Sequence, residues 1–270
     1  MKIKIRHATR YSYEPSAPWV AMRLRLFPSV YATQSIEAWQ VSVNGAAIAP
    51  TVDDAAMNQE GFRAVEGPVT EVDVVAEGTV LRAEDAGVLR GMKDRTPPGL
   101  YLRETPLTSP NDAIRQLTEG LVRADPLETL HALSSAVRDA IDYEPATTTP
   151  ATSAGEALAQ GKGVCQDHTH VFITAARHLK IPARYVAGYY FADPSQTEDA
   201  NYETHAWGEG YVPGLGWVGF DVANRTCSTQ QHVRVSVDLD AQNASLITGA
   251  VMGQPTESMT VAVAMSQAQQ

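Results

Sequence analysis

Long apolar runs are missing from this chain of 270 residues. No stretch approaches the ~18 consecutive apolar residues of a membrane-spanning helix. The opening MKIKIRHATRYSYEP carries basic residues but neither an apolar core nor a small-residue cleavage site, so no signal peptide is read and a cytoplasmic location is expected. Cysteine is scarce. Cys165 and Cys227 are too few for a disulfide scaffold, and one bridge between them is the most they could form. Positive charge is also short, 21 Lys and Arg against 31 Asp and Glu, and a net charge of −10 gives no general attraction to nucleic acid or to an anionic membrane. Internal repeats and low-complexity tracts are absent. Hydrophobic residues, at 44%, suffice for a packed core, so disorder is not the default.

Two styles of patterning divide what is present. Up to about Glu77 the runs alternate with period two: Lys2-Ile3-Lys4-Ile5-Arg6, Met22-Arg23-Leu24-Arg25-Leu26, and Trp39-Gln40-Val41-Ser42-Val43 before the hairpin pair Asn44-Gly45. These predict a small β-sandwich-like domain over 1–95. Pro and Gly crowd the segment 96–109, which reads as a linker. Helical signals follow in 110–270. Asp125-Pro126 caps a run with Leu127, Leu130, Leu133, Val137 and Ile141 on one face, and Ser153 to Glu156 is a capping box before a short helix that Gly161 can end.

Gly161-Lys162-Gly163-Val164 leads directly into a helical pattern that begins at Cys165 and ends before Pro182. A cysteine at a helix start is favoured as thiolate by the dipole and the free N–H groups. The preceding glycines are expected to admit a substrate backbone. The Cys165 N–H is placed to stabilise an oxyanion. Downstream, Thr204 to Val212 and Trp217 to Val222 read as strands of one hairpin, turned by Pro213-Gly214-Leu215-Gly216. That pairing brings His205, early in one strand, towards Asp221, late in the next. A nucleophile on a helix start facing a His–Asp pair on a sheet is the arrangement of cysteine acyl transfer.

GVCQDHTHVFITAARHLKIPARYVAGYYF followed by THAWGEGYVPGLGWVGFD resembles the bacterial transglutaminase-like family of cysteine proteases. The stretch with His7, Tyr11, Tyr13, Pro15, Leu24-Arg25-Leu26 and Pro28 resembles the β-domain that precedes the core in that family. The resemblance implies an α+β fold with a papain-like, transglutaminase-type core, the helix bearing the cysteine packed on an antiparallel sheet. It implies Cys165 as nucleophile, His205 as base and Asp221 as the residue orienting it. Tyr143 is carried as an oxyanion donor by analogy with the aromatic donor of transglutaminases, and Gln166 and Trp207, inside the two motifs, as oxyanion or substrate contacts. The family's Pro and Thr after the aspartate are replaced by Val222-Ala223, and its arginine-aspartate-tyrosine stretch by residues Asp238 to Asn243, which implies a different cleft lining.

The expected function is hydrolysis of an amide or peptide bond in a peptide or protein substrate. Amine transfer and a non-catalytic peptide-binding module are the alternatives. No cofactor is expected. No metal is expected either, because His168 and His170, two residues apart on a helix, point to nearly opposite sides; His168 is assigned to the core and His170 to a local bond, with Asp167 the nearest acid. Cys227 reads as a small apolar residue. Arg177, Lys180 and Arg184, with Lys162, read as a solvated basic face.

Overall fold

The computed structural model describes residues 1–192 and 204–267. The first unit is a sheet built on two very long strands, β1 (Lys2–Leu24) and β5 (Gln59–Arg82). β2 (Gln34–Val43) pairs with β5, and the hairpin partner β3 (Ala46–Ile48) follows the turn at Asn44 and Gly45, both at positive φ as the Asn-Gly pair predicts. A short β4 (Val52–Asp53) lies against the start of β5. Along β1 the alternation holds: Ile3, Ile5, His7 and Thr9 are buried while Lys4, Arg6 and Arg10 are exposed. The β1–β5 register slips between Ser12 and Trp19, the irregularity by which such a long strand bends.

The second unit contains α1 (Asp112–Leu117), α2 (Pro126–Ala140), α3 (Ala154–Gln160) and α4 (Cys165–His178). A parallel bridge of β6 (Asp142–Tyr143) with β7 (Lys162–Gly163) ties the approach to α4. The helices cover an antiparallel sheet of β8 (Ala183–Tyr190), β9 (Thr204–Val212), β10 (Gly216–Asp221), β11 (Thr226–Cys227) and β12 (His232–Asp238), ordered β11-β10-β9-β8-β12. The caps read from sequence are formed: Asp125 accepts from Leu127 N at 2.8 Å, Ser153 and Glu156 bond reciprocally, and Gly161 ends α3 at φ 64°. Gly208 lets α4 approach, since a Cβ there would stand 2.5 Å from the Phe172 ring. Phe172, Leu130, Leu133, Val137 and Phe220 form the fully buried centre of this core, where truncating Phe172 costs about 3–5 kcal/mol. The α+β class with the cysteine-bearing helix on an antiparallel sheet is therefore present.

The chain's last strands differ from expectation. They were assigned to the catalytic unit of 110–270, but β13 (Ile247–Val251) and β14 (Thr256–Gln267) pair with β1, opposite Val20–Leu24 and Ile3–Glu14 respectively. The physical reason lies in the alternation of β14. Met265 and Val263 sit beside Ile5 and His7 and extend the apolar face that β1 packs against Tyr189, Val233 and Val235 of the second sheet.

The basic face is only half solvated: Lys180 is exposed, but the two arginines are buried. Arg184 is 1% exposed, bonds Glu209 at 2.6 Å and Asp94 at 2.8 Å, and lies over the Trp217 ring. Arg177 is buried and donates to the Tyr101, Ala183 and Leu239 carbonyls and to Thr108. Tyr101 and Thr108 belong to the connecting segment and Asp94 lies just before it, so these guanidinium groups fasten that stretch to the second unit. Lys162 does remain at the surface, paired with Glu144 at 2.7 Å.

Candidate active site

Cys165 is the first residue of α4, and its N–H has no intrahelical acceptor. The helix start is held by Asp167, whose carboxylate accepts from Val164 N at 2.8 Å and from Thr148 at 2.7 Å. Gly163 serves this cap. A Cβ there would meet the Asp167 side chain at 2.6 Å, so the glycine clears room for the carboxylate and not, as its position suggested, for a substrate backbone.

His205, near the beginning of β9, donates through Nε2 to Asp221 Oδ2 at 2.7 Å. Its Nδ1 is left for Cys165, with which it shares a hydrogen bond. Burial works against charge on this imidazole, but the field of Asp221, its hydrogen bond and the nearby sulfur outweigh it and hold His205 up at about 10. Asp221 is fully buried, and burial raises its carboxyl; the charge and hydrogen bond of His205 and the donor of His232 override that and hold it well below the usual carboxylate range.

His232, at the start of β12, was not read from the sequence. Its Nε2 lies 2.9 Å from the same Asp221 oxygen, and its Nδ1 accepts from Thr229 N at 3.0 Å. That second bond fixes the proton on Nε2, so His232 is a neutral donor; burial lowers its affinity for a second proton. Asn224 adds its side-chain amide at 2.7 Å and its backbone N–H at 3.2 Å. Arg82 of β5 then donates to the His232 and Thr229 carbonyls, so the first unit braces the far end of this chain. His205, Asp221 and His232 also place three ligand atoms within 4.8 Å of one another, a spacing a metal ion could bridge in place of the two protons. The expectation of no metal was argued on His168 and His170 alone. Those two are buried apart: His168 lies between the Val164 and Ile141 carbonyls, and His170 accepts from Ala241 N.

The remaining predicted contacts separate. Tyr143 and Gln166 line the cleft at Cys165, Tyr143 half-exposed and stacked over the His168 ring. Trp207 is 2% exposed, stacks behind His205 and does not line the cleft. Tyr185 of β8, unanticipated, does line it. Its ring is buried, and its phenol is pushed up by burial and then by Cys165. Cys227 is free, like Cys165, and burial raises its thiol.

Fold and site together define a transglutaminase-like protein with a cysteine, histidine and aspartate in register. Residues 115–222 match the transglutaminase-like superfamily and residues 3–81 match the bacterial transglutaminase-like N-terminal region. It is 30% identical over 141 residues to ML0607, an uncharacterized protein of Mycobacterium leprae (strain TN), an alignment that takes in 52% of this chain and 50% of that one; the chain thus spans about half the length of that relative. A "putative cysteine protease" from Cytophaga hutchinsonii superposes with a TM-score of 0.76 at 18% identity, covering 100% of this chain and 92% of the other, which is a likeness of fold. The periplasmic domain of TgpA from Pseudomonas aeruginosa gives a TM-score of 0.41 at 18% identity over 81% of this chain and 88% of that one. Among the described residues no helix is long and apolar enough to cross a membrane.

Proposed function

We propose that the protein is a cysteine-dependent hydrolase of amide or peptide bonds acting through a thioester. The observation that carries this reading is the chain Cys165–His205–Asp221, in which the buried carboxylate keeps the imidazole charged beside the sulfur. The Cys165 thiolate attacks the amide carbonyl, and the carbonyl electron pair moves to oxygen. The Cys165 N–H and the Tyr185 hydroxyl are the donors assigned to that oxyanion. Collapse breaks the C–N bond, His205 gives its proton to the leaving amine, and a thioester remains. Neutral His205 then takes a proton from water, the hydroxide adds to the thioester, and expulsion of the thiolate restores the ion pair with release of the acid. The two unbridged cysteines fit a reducing cytoplasm.

The test is turnover of an acyl-trapping peptide library with wild type and Cys165→Ser, with and without a primary amine. Acid products that vanish in the variant support the reading. Amine adducts in place of acids would make the protein a transferase, and retained turnover in the variant would remove Cys165 from the mechanism. A sulfur no more reactive towards iodoacetamide than an ordinary thiol would leave only a binding module.

A further inference from the structure

The cleft at Cys165, about 990 Å³, has two walls drawn from distant parts of the chain. One is the start of α4 with β8 and β9. The other is the β1–β14 face of the first sheet. Four cross-strand pairs lie in succession along that face: Ile5 with Met265, His7 with Val263, Thr9 with Val261, and Tyr11 with Met259. Residues two apart in a strand share a face, so these side chains form one continuous strip. At one end the strip is packed between the units, with Ile5 fully buried and Met265 8% exposed. At the other end it opens: Val261 is 48% and Met259 55% exposed, and both line the cleft with Tyr11 and Thr9. The packed interface therefore splays into the site.

The chemistry of the lining is one-sided. Charged residues are 19% of the chain, yet among the described residues no Asp, Glu, Lys or Arg lines this cleft. His7 is held between the Tyr189 hydroxyl and Thr9, and burial lowers its imidazole to about 4, so it is uncharged at neutral pH. Opposite the strip the wall is cut back to Ala241 and Ala244, in and just after the segment where the family's aromatic stretch is replaced. Away from the Cys165–His205 pair, and with Glu257 near Tyr11 only at the outer edge, a charged side chain brought here loses water and meets no counter-charge among the described lining residues, whereas an aliphatic or aromatic one finds methionine, valine and tyrosine.

Building on the acyl-transfer reading, we propose that the substrate is a peptide segment with uncharged aliphatic or aromatic side chains next to the scissile amide, and that Tyr11, Met259 and Val261 form the specificity wall that receives them. Arg177 and Arg184 are buried elsewhere and bring no positive charge to the cleft.

The test uses the full chain and short peptidyl iodoacetamides of equal length carrying Leu, Phe, Asp or Lys beside the reactive group. Each alkylation rate at Cys165 is divided by the rate of the same protein with iodoacetamide, which removes differences in the sulfur itself. In wild type the Leu and Phe probes are expected to exceed the Asp and Lys probes by about tenfold. In Met259→Lys, and separately in Val261→Lys, the Asp probe should gain on the Leu probe by a similar factor. Charged probes as fast as neutral ones in wild type, or unchanged ratios in both variants, would overturn the cleft assignment while leaving the nucleophile in place. A Cys165 inert to iodoacetamide itself would instead overturn the acyl-transfer reading and this inference with it.

Discussion

Replacing Asp221 by Asn is the sharpest perturbation of this site, because the change is nearly isosteric and the carboxylate is fully buried. Oδ2 receives His205, His232 and the Asn224 amide at 2.7, 2.9 and 2.7 Å, and Oδ1 receives Asn224 N at 3.2 Å. An amide must turn its NH₂ towards one of these two sets, so donor meets donor in either orientation. His232 cannot adapt, since Thr229 N fixes its tautomer. His205 loses the largest contribution holding it at about 10, and burial then favours the neutral ring. The sulfur then lacks its neighbouring cation. Loss of that cation beside the nucleophile should slow alkylation at pH 6.5 by about 100-fold, equivalent to ~2.7 kcal/mol. Turnover should fall further, by roughly 10⁴, because the imidazole also settles in the wrong tautomer. The assay is the rate of iodoacetamide modification of Cys165, followed by intact-mass measurement between about pH 5 and pH 9. Wild type should react faster than Asp221→Asn at the acidic end of this range. Superimposable profiles for wild type and Asp221→Asn would refute the coupling of these three residues.

Other outcomes follow from the same geometry. His232→Phe keeps the ring but removes the Nε2 donor, and should cut turnover by about tenfold or more with KM little changed, while His232→Gln, which can offer an amide N–H, should recover part of the loss; equal defects in the two variants would mean that His232 only fills space. Glu209→Gln leaves Arg184 and Arg234 buried without their shared carboxylate and should destabilise the fold by about 3–5 kcal/mol, read by urea titration. Stability should also depend on pH through His205. The folded chain holds that proton to about 10 and the unfolded chain only to about 6.5, so the contribution is complete below the lower value and is lost as pH rises through this window. Thermal melts of wild type against His205→Gln should therefore converge as pH rises towards 10, and a constant gap would contradict the assignment.

What the sequence made legible was local. Asp125-Pro126, the Ser153–Glu156 box, Gly161 and the Pro213–Gly216 turn each act within a few residues, and each lies where it was read. The juxtaposition of His205 with Asp221 followed because one hairpin register carries it. His232 was hidden because its bond to Asp221 spans a loop and the ends of strands that are not neighbours in the sheet, and nothing in QQHVRV marks the partner. A histidine opening a run in which Val233, Val235 and Val237 are all buried was the available signal. Gly163 misled for a related reason: its role depends on where the Asp167 side chain folds back. Arg177 and Arg184 misled because charge spacing along α4 and into β8 does not reveal that a Pro-rich connector will pack over them.

The pairing of β1 with β14 sets an order of assembly. Ile3 meets Gln267, so synthesis must pass Gln267 before the start of the first strand has its second neighbour. By then every residue of the Cys165, His205, Asp221 and His232 constellation has been made. A nascent molecule can thus carry its reactive sulfur before it owns the surface that decides what reaches it. Selectivity is acquired later than the reactive sulfur, and loss of the pairing of β14 returns the protein to that indiscriminate state.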